Sequence, residues 1–136
     1  MSPLRNRYYK GIFLAATIYD ISLGIIFTFF FKQAFAVLGI ANKLPRYGAY
    51  IALIGAFLFV IGVAYLLIFL GDLRKNLDLI IVGALYKFAY FAVAVFYFAI
   101  GEYPHIIFLA LFGIVDLVFF IMMTECAIHL RKYVKD

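Results

Sequence analysis

The fold follows from residues Leu77–Met123, which read LDLIIVGALYKFAYFAVAVFYFAIGEYPHIIFLALFGIVDLVFFIMM. Two long apolar runs are joined there by the short polar link Gly101–His105. A helix rises 1.5 Å per residue, so about 20 apolar residues cross the ~30 Å hydrocarbon core of a bilayer. Each run carries one full charge near its middle, Lys87 in the first and Asp116 in the second. Charges at that depth are costly, so they persist mainly where they are paired or used.

Composition places the chain in a membrane rather than in water. Of its 136 residues, 68% are hydrophobic and 14% are charged, and the mean hydropathy is +1.11. Soluble domains have about 45–50% apolar and about 25% charged residues. The net charge of +5 does not indicate a nucleic-acid partner, because nearly all Lys and Arg flank the apolar runs. Cys126 is the only cysteine, which excludes an internal disulfide and a CxxC redox centre.

Four spans are predicted, which makes the fold an all-α four-transmembrane-helix bundle in a single integral membrane domain, residues 1–136. They cover about 11–31, 47–70, 79–100 and 106–128. Arg5, Arg7 and Lys10 precede the first run as in a signal peptide. That run is about 21 residues, longer than an h-region, and no cleavage site follows, so we expect a retained helix. Lys32–Arg46 could form a short interfacial helix ended by Pro45, or an ordinary loop.

Basic residues predict the orientation of the spans. The N-terminal arm, the second loop and the basic tail 129–136 together carry eight Lys and Arg, against three in the first and third loops. Lys and Arg are enriched in cytoplasmic loops. Both termini are therefore expected in the cytoplasm, with the lipid bilayer as the first partner.

Depth along the helices brings a third charge to the level of Lys87 and Asp116. From the rise per residue, Asp20 lies roughly 14 Å into its span, Lys87 roughly 12 Å and Asp116 roughly 15 Å, all within about one turn of the midplane. Tyr90 lies one turn from Lys87 and offers a hydroxyl. The last two spans form a hairpin, so Lys87 and Asp116 can meet directly. We predict a polar cluster of Asp20, Lys87, Asp116 and Tyr90.

The predicted cluster has two interpretations. Charges of −1, +1 and −1 leave an excess negative charge, so one carboxyl is expected to keep its proton in low dielectric. A proton shared between Asp20 and Asp116, organised by Lys87, would suit a proton-coupled site, and a static buried triad would look the same. A ligand or proton site is favoured, because intramembrane ionisable residues are functional by default.

Small residues mark the second span as a packing surface. Gly48, Ala52, Gly55 and Gly62 share one stripe at near-heptad spacing. Such residues let helices approach closely in lipid. Gly in a helix interior costs about 1 kcal/mol relative to Ala, so the stripe predicts a tight contact. Its partner helix belongs either to the same chain or to another subunit.

No other motif predicts chemistry. Glu102 and His105 are two metal-ligand types three residues apart, but two ligands make no metal site and a solvated turn is the simpler interpretation. Glu125 and His129 are four apart, which is typical of a surface pair or of side chains that snorkel to water. There is no nucleophile–base arrangement and no phosphate-binding loop, so no catalytic residue, metal or cofactor is predicted. An enzyme acting on a lipid or quinone is therefore the least favoured class.

Two short segments resemble a known family. Gly83-Ala84-Leu85-Tyr86-Lys87 and Gly113-Ile114-Val115-Asp116 are similar to the DoxX-like group of small four-helix bacterial membrane proteins. That group has a Lys or Arg in the third span and a polar residue in the last. The resemblance covers the C-terminal half and carries over Lys87 and Asp116. It implies a location in the bacterial cytoplasmic (inner) membrane. Some members are accessory subunits of quinone-linked oxidoreductases, so the resemblance also implies an accessory role. It is the only reason to consider a quinone cofactor.

Two functions fit these features. The first is a non-enzymatic accessory or small-ligand-binding subunit of a larger membrane complex or homo-oligomer, in which the cluster organises a cavity between helices. The second is a dimeric proton-coupled small-molecule transporter with Asp20 or Asp116 as proton carrier. Four-helix dimeric multidrug exporters are the analogy for the second. The chain departs from them by carrying Lys87, by lacking tryptophan and by being longer.

Overall fold

The computed structural model describes residues 1–134, and every regular element within that range is helical. Five helices are named here in chain order: α1 Pro3–Phe29, α2 Phe31–Val37, α3 Ala49–Leu70, α4 Leu77–Ala99 and α5 Ile106–Val134. All except the short α2 are long and apolar enough to cross a membrane. The predicted all-α bundle of four long apolar helices is therefore confirmed.

The outer ends of the first and last spans extend beyond the predicted bounds. The first begins at Pro3 rather than at residue 11, because the Ser2 hydroxyl accepts a hydrogen bond from the Arg5 backbone N–H at 3.2 Å. Proline at the helix start lacks an N–H that would be unpaired there anyway. The last span continues to Val134, so the predicted basic tail 129–136 is helical as far as the structure describes it. Residues 135–136 lie outside the described residues.

The first loop contains a short helix, α2, so the ordinary-loop interpretation is wrong for Phe31–Val37. The expected helix end at Pro45 is also wrong. α2 ends at Val37, and Gly39 just beyond it has a φ of 73°. Glycine adopts this left-handed conformation without the Cβ clash of other residues, so it turns the chain here.

The second loop is a tight turn that carries the chain from α3 into α4. The Asp72 carboxylate accepts a hydrogen bond from the Arg74 backbone N–H at 2.9 Å, and this bond lowers the pKa of the Asp72 carboxyl. The Asn76 side chain donates to the Asp72 carbonyl at 2.8 Å. Side-chain bonds of this kind replace the helical partners that backbone groups lose at a turn.

The long helices pack as two pairs, α1 with α3 and α4 with α5. Arg5 Nη2 lies 2.8 Å from Glu125 Oε1, so both termini lie at one end of the bundle. Lys43 Nζ donates to the Pro104 carbonyl at 3.0 Å, which joins the first and third loops at the other end. We call these the termini end and the loop end.

Glycines bring the α1 and α3 backbones into direct contact. A Cβ added at Gly55 would lie 2.5 Å from the Thr28 backbone nitrogen. A Cβ added at Gly24, on the facing helix, would lie 2.6 Å from the Phe59 backbone nitrogen. Neither glycine therefore has room for a side chain, and the tight contact on the glycine stripe lies within one chain.

The other stripe residues contribute less to this contact. Gly62 faces Ile21, where an added Cβ would lie 2.6 Å from Cγ1 of that side chain. Gly48 precedes α3 and faces the Phe31 ring instead of α1. Ala52 is only half-buried. The stripe thus contacts α1 through Gly55 and Gly62, while its first member contacts the start of α2.

The two ends of the bundle differ in packing. The half nearer the termini, here called the solid half, has a core of fully buried side chains, among them Tyr9, Phe13, Tyr65, Ile68, Ile80, Met123, Cys126 and Leu130. The half nearer the loops, the hollow half, has fewer fully buried side chains and contains apolar cavities of about 400 Å³ and 390 Å³. Phe27, Phe35 and Phe108 line both cavities and form the wall between them. Cavities of about 350–600 Å³ also lie in the solid half, outside its buried core.

Candidate functional site

Asp20 of α1, Lys87 of α4 and Asp116 of α5 meet between the solid and hollow halves. Lys87 Nζ lies 2.9 Å from Asp116 Oδ1 and 2.9 Å from each oxygen of Asp20. Oδ1 of Asp20 accepts the hydrogen bond from Lys87, whereas Oδ2 has no hydrogen-bond partner among the described residues. The exposed fractions of Asp20, Lys87 and Asp116 are 0%, 0% and 1%. We call this group the triad, and it is the set of charges that helix depth predicts.

Tyr90 lies outside the triad, which corrects the predicted cluster. Within residues 1–134 its hydroxyl makes no hydrogen bond to a triad side chain. Its ring packs against Tyr86 at 4.6 Å and against Phe112 at 5.5 Å, and it lines the larger cavity. The two side chains of α4 point in different directions. Lys87 reaches across to both carboxylates, whereas Tyr90, one turn further along α4, faces the hollow half.

Three aromatic rings surround the Lys87 ammonium, a feature that was not predicted from the sequence. The ring centres of Tyr19, Tyr65 and Phe119 lie 5.0, 5.6 and 5.0 Å from Nζ. Aromatic faces attract cations, more strongly when water is excluded. A signal for Tyr65 was present, since it follows Gly62 by three residues on the buried stripe of α3. The charge-free α3 is thus a fourth wall of the site.

The Tyr65 hydroxyl ties α3 to α4 on the termini side of the triad. It donates a hydrogen bond to the Gly83 carbonyl at 2.7 Å. A Cβ at Gly83 would lie 2.6 Å from Cε1 of the same ring. Gly83 is therefore needed for the ring to reach Lys87.

A second tyrosine ties α1 to an irregular part of α5. The Tyr19 hydroxyl donates to the Leu111 carbonyl at 2.7 Å. Leu111 lies in Leu109–Val115, where α5 is π-helical, and Asp116 is the first α-helical residue after it. The wider π-turn changes the rotation of Asp116 about the axis of α5 and is often found at functional sites. No pattern in the sequence predicted it.

The larger cavity, here called the α3–α4 cavity, ends one helical turn from the triad. It is about 400 Å³ and is lined almost entirely by apolar atoms. Tyr90 and Phe112 form its floor, three residues beyond Lys87 and four before Asp116. No triad side chain lines it. An aromatic floor therefore separates the triad from the cavity.

The predicted surface pair of Glu125 and His129 is replaced by a different contact. Glu125 Oε1 accepts hydrogen bonds from Arg5 Nη2 at 2.8 Å and from the Tyr9 hydroxyl at 2.9 Å. The partner of Glu125 is thus α1, the neighbouring helix, because Arg5 carries a full charge and reaches further than His129. Arg5 and Glu125 are about half exposed, so their ion pair contributes little to stability.

The remaining candidates have structural explanations. His105 Nδ1 accepts a hydrogen bond from the Ile107 backbone N–H at 3.1 Å, so His105 caps the start of α5. Among residues 1–134 no group of three or more His, Cys, Asp or Glu side chains could hold a metal ion. Cys126 is fully buried in the solid half, as expected for a small apolar residue.

Comparison of the chain with protein-family models, with curated proteins and with solved structures finds no match. The fold and the site define the class of protein as an all-helical bundle, with four helices able to cross a membrane and a buried triad between them. The DoxX-like resemblance stays a prediction from the sequence. The function is therefore inferred from the triad and the cavities.

Proposed function

We propose that the chain is a non-enzymatic multi-pass membrane protein that binds a small lipophilic ligand, as an accessory subunit of a membrane complex or as a homo-oligomer. The α3–α4 cavity is the observation that supports this proposal. Its volume of about 400 Å³ lies in the range of small-molecule sites, which are concave and mostly apolar. An apolar ligand gains contacts with its walls without stripping water from polar groups.

The triad supports the aromatic floor of this cavity from below. Asp20, Lys87 and Asp116 hold α1, α4 and α5 together one turn below it. Tyr65 adds α3 to the same layer through its hydrogen bond to α4. A preformed site binds more tightly because the ligand does not have to order its walls. In this proposal the charges position the cavity and do not touch the ligand.

Orientation and location complete the proposal: the termini lie in the cytoplasm and the protein resides in a bacterial cytoplasmic (inner) membrane. Seven described Lys and Arg lie in the segments at the termini end, against three at the loop end. Because basic segments are retained in the cytoplasm, this asymmetry supports that orientation. The DoxX-like resemblance supports the bacterial inner membrane. The α3–α4 cavity then lies in the outer leaflet.

Filling the cavity should remove the ligand. Ala94 lines it, whereas Ala92 on the same helix at nearly the same depth is exposed and lines none of the cavities described here. Protein purified in mild detergent and extracted with organic solvent should yield a lipophilic compound by mass spectrometry. We expect the yield from Ala94→Phe to be lower by about tenfold, which corresponds to a loss of about 1.4 kcal/mol of binding free energy. The yield from Ala92→Phe should be unchanged. Equal yields from both variants and the wild type would refute binding in this cavity.

A dimeric proton-coupled transporter is the second candidate, and the charge of the triad favours it. Two carboxyls share one ammonium in a site sealed from solvent, so the excess negative charge favours one proton on Asp20 or Asp116. Substrate-driven proton flux in liposomes is expected to be lost in Asp20→Asn and kept in Asp72→Asn, which alters an exposed loop carboxylate. Absence of flux with every cation tested would count against this candidate.

A further inference from the structure

We infer that the α3–α4 cavity holds an acyl chain of a phospholipid whose headgroup bears both a phosphate and a primary ammonium, bound by Lys43 and Glu102. The inference rests on the proposed ligand-binding function and names its ligand class. It depends on where the cavity opens, on the chemistry of its walls and on the two charges at its rim.

The cavity opens sideways between α3 and α4, toward the hydrocarbon of the bilayer. Ile54 of α3 and Val93 and Tyr97 of α4 line it, yet they are 44%, 58% and 44% exposed. The hydrogen bond between these two helices, from Tyr65 to Gly83, lies in the solid half. In the hollow half the same helices flank the cavity instead of closing on each other. A hydrocarbon chain can therefore enter from the lipid without unfolding a helix.

The walls select a hydrocarbon chain over water. An ordered water needs two to four polar partners, and this wall is almost entirely apolar. An empty cavity would forfeit the dispersion contacts of its lining residues. Lipid chains surround the opening at very high concentration, so they outcompete scarce solutes for an apolar space of this shape. The chain segment of a membrane lipid is the occupant that the surroundings supply.

Two opposite charges lie at the rim of the cavity near the loop end. Lys43 uses one of its three N–H donors on the Pro104 carbonyl at 3.0 Å, which leaves two donors for a phosphate. The Glu102 carboxylate forms no ion pair with another residue of the described part of the chain and accepts N–H donors. Both residues line the cavity and lie in loops that flank spanning helices, at the depth of lipid headgroups.

This pair of charges distinguishes between phospholipid headgroups. A headgroup with a phosphate and a primary ammonium satisfies Lys43 and Glu102 together. A choline headgroup has the same net charge but no N–H to donate to Glu102. A glycerol headgroup has no cation, so its phosphate would place a second negative charge beside that carboxylate. We expect retention to fall in that order.

Native mass spectrometry of the full chain tests this inference. Delipidated protein is mixed with equal amounts of phosphatidylethanolamine, phosphatidylcholine and phosphatidylglycerol that carry identical acyl chains. We expect one retained lipid, with the ethanolamine lipid favoured over the choline lipid by roughly tenfold, a factor equal to about 1.4 kcal/mol. Glu102→Gln should bring these two lipids to equal retention while keeping one lipid bound. Lys32→Gln, which removes an exposed basic residue of α2, should leave the preference unchanged.

Variants that fill the cavity locate the acyl chain. Ala94→Phe is expected to lose the retained lipid and Ala92→Phe to keep it. Ala94→Leu is a smaller change and should lose part of the retained lipid. It provides the test if Ala94→Phe fails to fold. Equal retention in wild type and the folded Ala94 variants would overturn the acyl-chain site, and equal retention of the three lipids by wild type would overturn the role of Lys43 and Glu102.

One pattern separates this inference from the proposed function. If wild type retains none of the three phospholipids but yields another lipophilic compound that Ala94→Phe removes, the phospholipid inference is wrong and ligand binding in the cavity stands. If no compound depends on Ala94, both are wrong.

Discussion

Replacing Lys87 with Met should lower the free energy of unfolding by about 3–5 kcal/mol, the range found when one partner of a buried ion pair is removed. The variant would leave Asp20 and Asp116 facing each other without a cation in a site sealed from solvent. It would also take the cation from the three aromatic rings around Nζ. Unfolding of the purified protein in detergent micelles, followed by circular dichroism, measures the change.

Two further variants show whether the loss comes from the unpaired carboxyls. Lys75→Met removes an exposed lysine in the second loop and should change stability by less than about 0.5 kcal/mol. The triple variant Asp20→Leu, Lys87→Met, Asp116→Leu replaces the whole triad with apolar side chains and should recover most of the loss, because a buried ionic group exchanged for packed apolar groups is often neutral or stabilising. A triple variant no more stable than Lys87→Met would contradict this account. A stable triple variant that still binds the ligand would show that the charges themselves are not needed for binding.

Gly55→Ala should destabilise the protein by about 1–3 kcal/mol, as overpacking does in a close-packed interior. The added methyl group would lie 2.5 Å from the Thr28 backbone nitrogen, and a backbone atom cannot rotate aside as a side chain can. The axes of α1 and α3 would have to separate. The effect would be seen as a lower melting temperature in the same detergent.

Gly11 provides the matched control for this substitution. It lies inside α1, but an added Cβ would meet nothing within 4 Å. Gly11→Ala should therefore stabilise the helix by about 0.5–1 kcal/mol, since glycine loses more backbone freedom than alanine. Opposite signs at Gly55 and Gly11 are the expected result. The close contact of α1 and α3 would be disproved by stabilisation at both positions.

Helix rise made the charged layer predictable. The depth of a residue in a span depends only on its distance along the helix axis, so counting residues was enough to place Asp20, Lys87 and Asp116 at one level. The count starts at the end of each span, where the helix enters the hydrocarbon core of the bilayer. Apolar run lengths gave the four helices for the same reason. Their outer ends were missed at Pro3 and Val134, because helices continue beyond the hydrocarbon wherever caps and neighbours support them.

Counting residues could not predict how each helix is rotated about its axis or which helix packs against which. Whether Tyr65 or Tyr90 faces Lys87 depends on how α3 and α4 turn about their axes. The π-helical stretch Leu109–Val115 then changes the rotation of Asp116 on α5. The glycine stripe predicted a close contact but not its partner, which required the position of Gly24 on the facing helix. Cavities depend on the mismatch of side-chain volumes between helices, so no single segment encodes them.

The triad also imposes an order on membrane insertion. Asp20 is 67 residues ahead of Lys87 in the chain, so its helix is synthesised long before its cation exists. α1 is also the least apolar of the four long helices. A lone Asp at the centre of a helix costs about 2.5–3.5 kcal/mol on insertion scales. Until α4 arrives, α1 depends on a protonated Asp20 or on the insertion machinery, and nascent chains that end before Lys87 should leave the membrane more readily than those that include it.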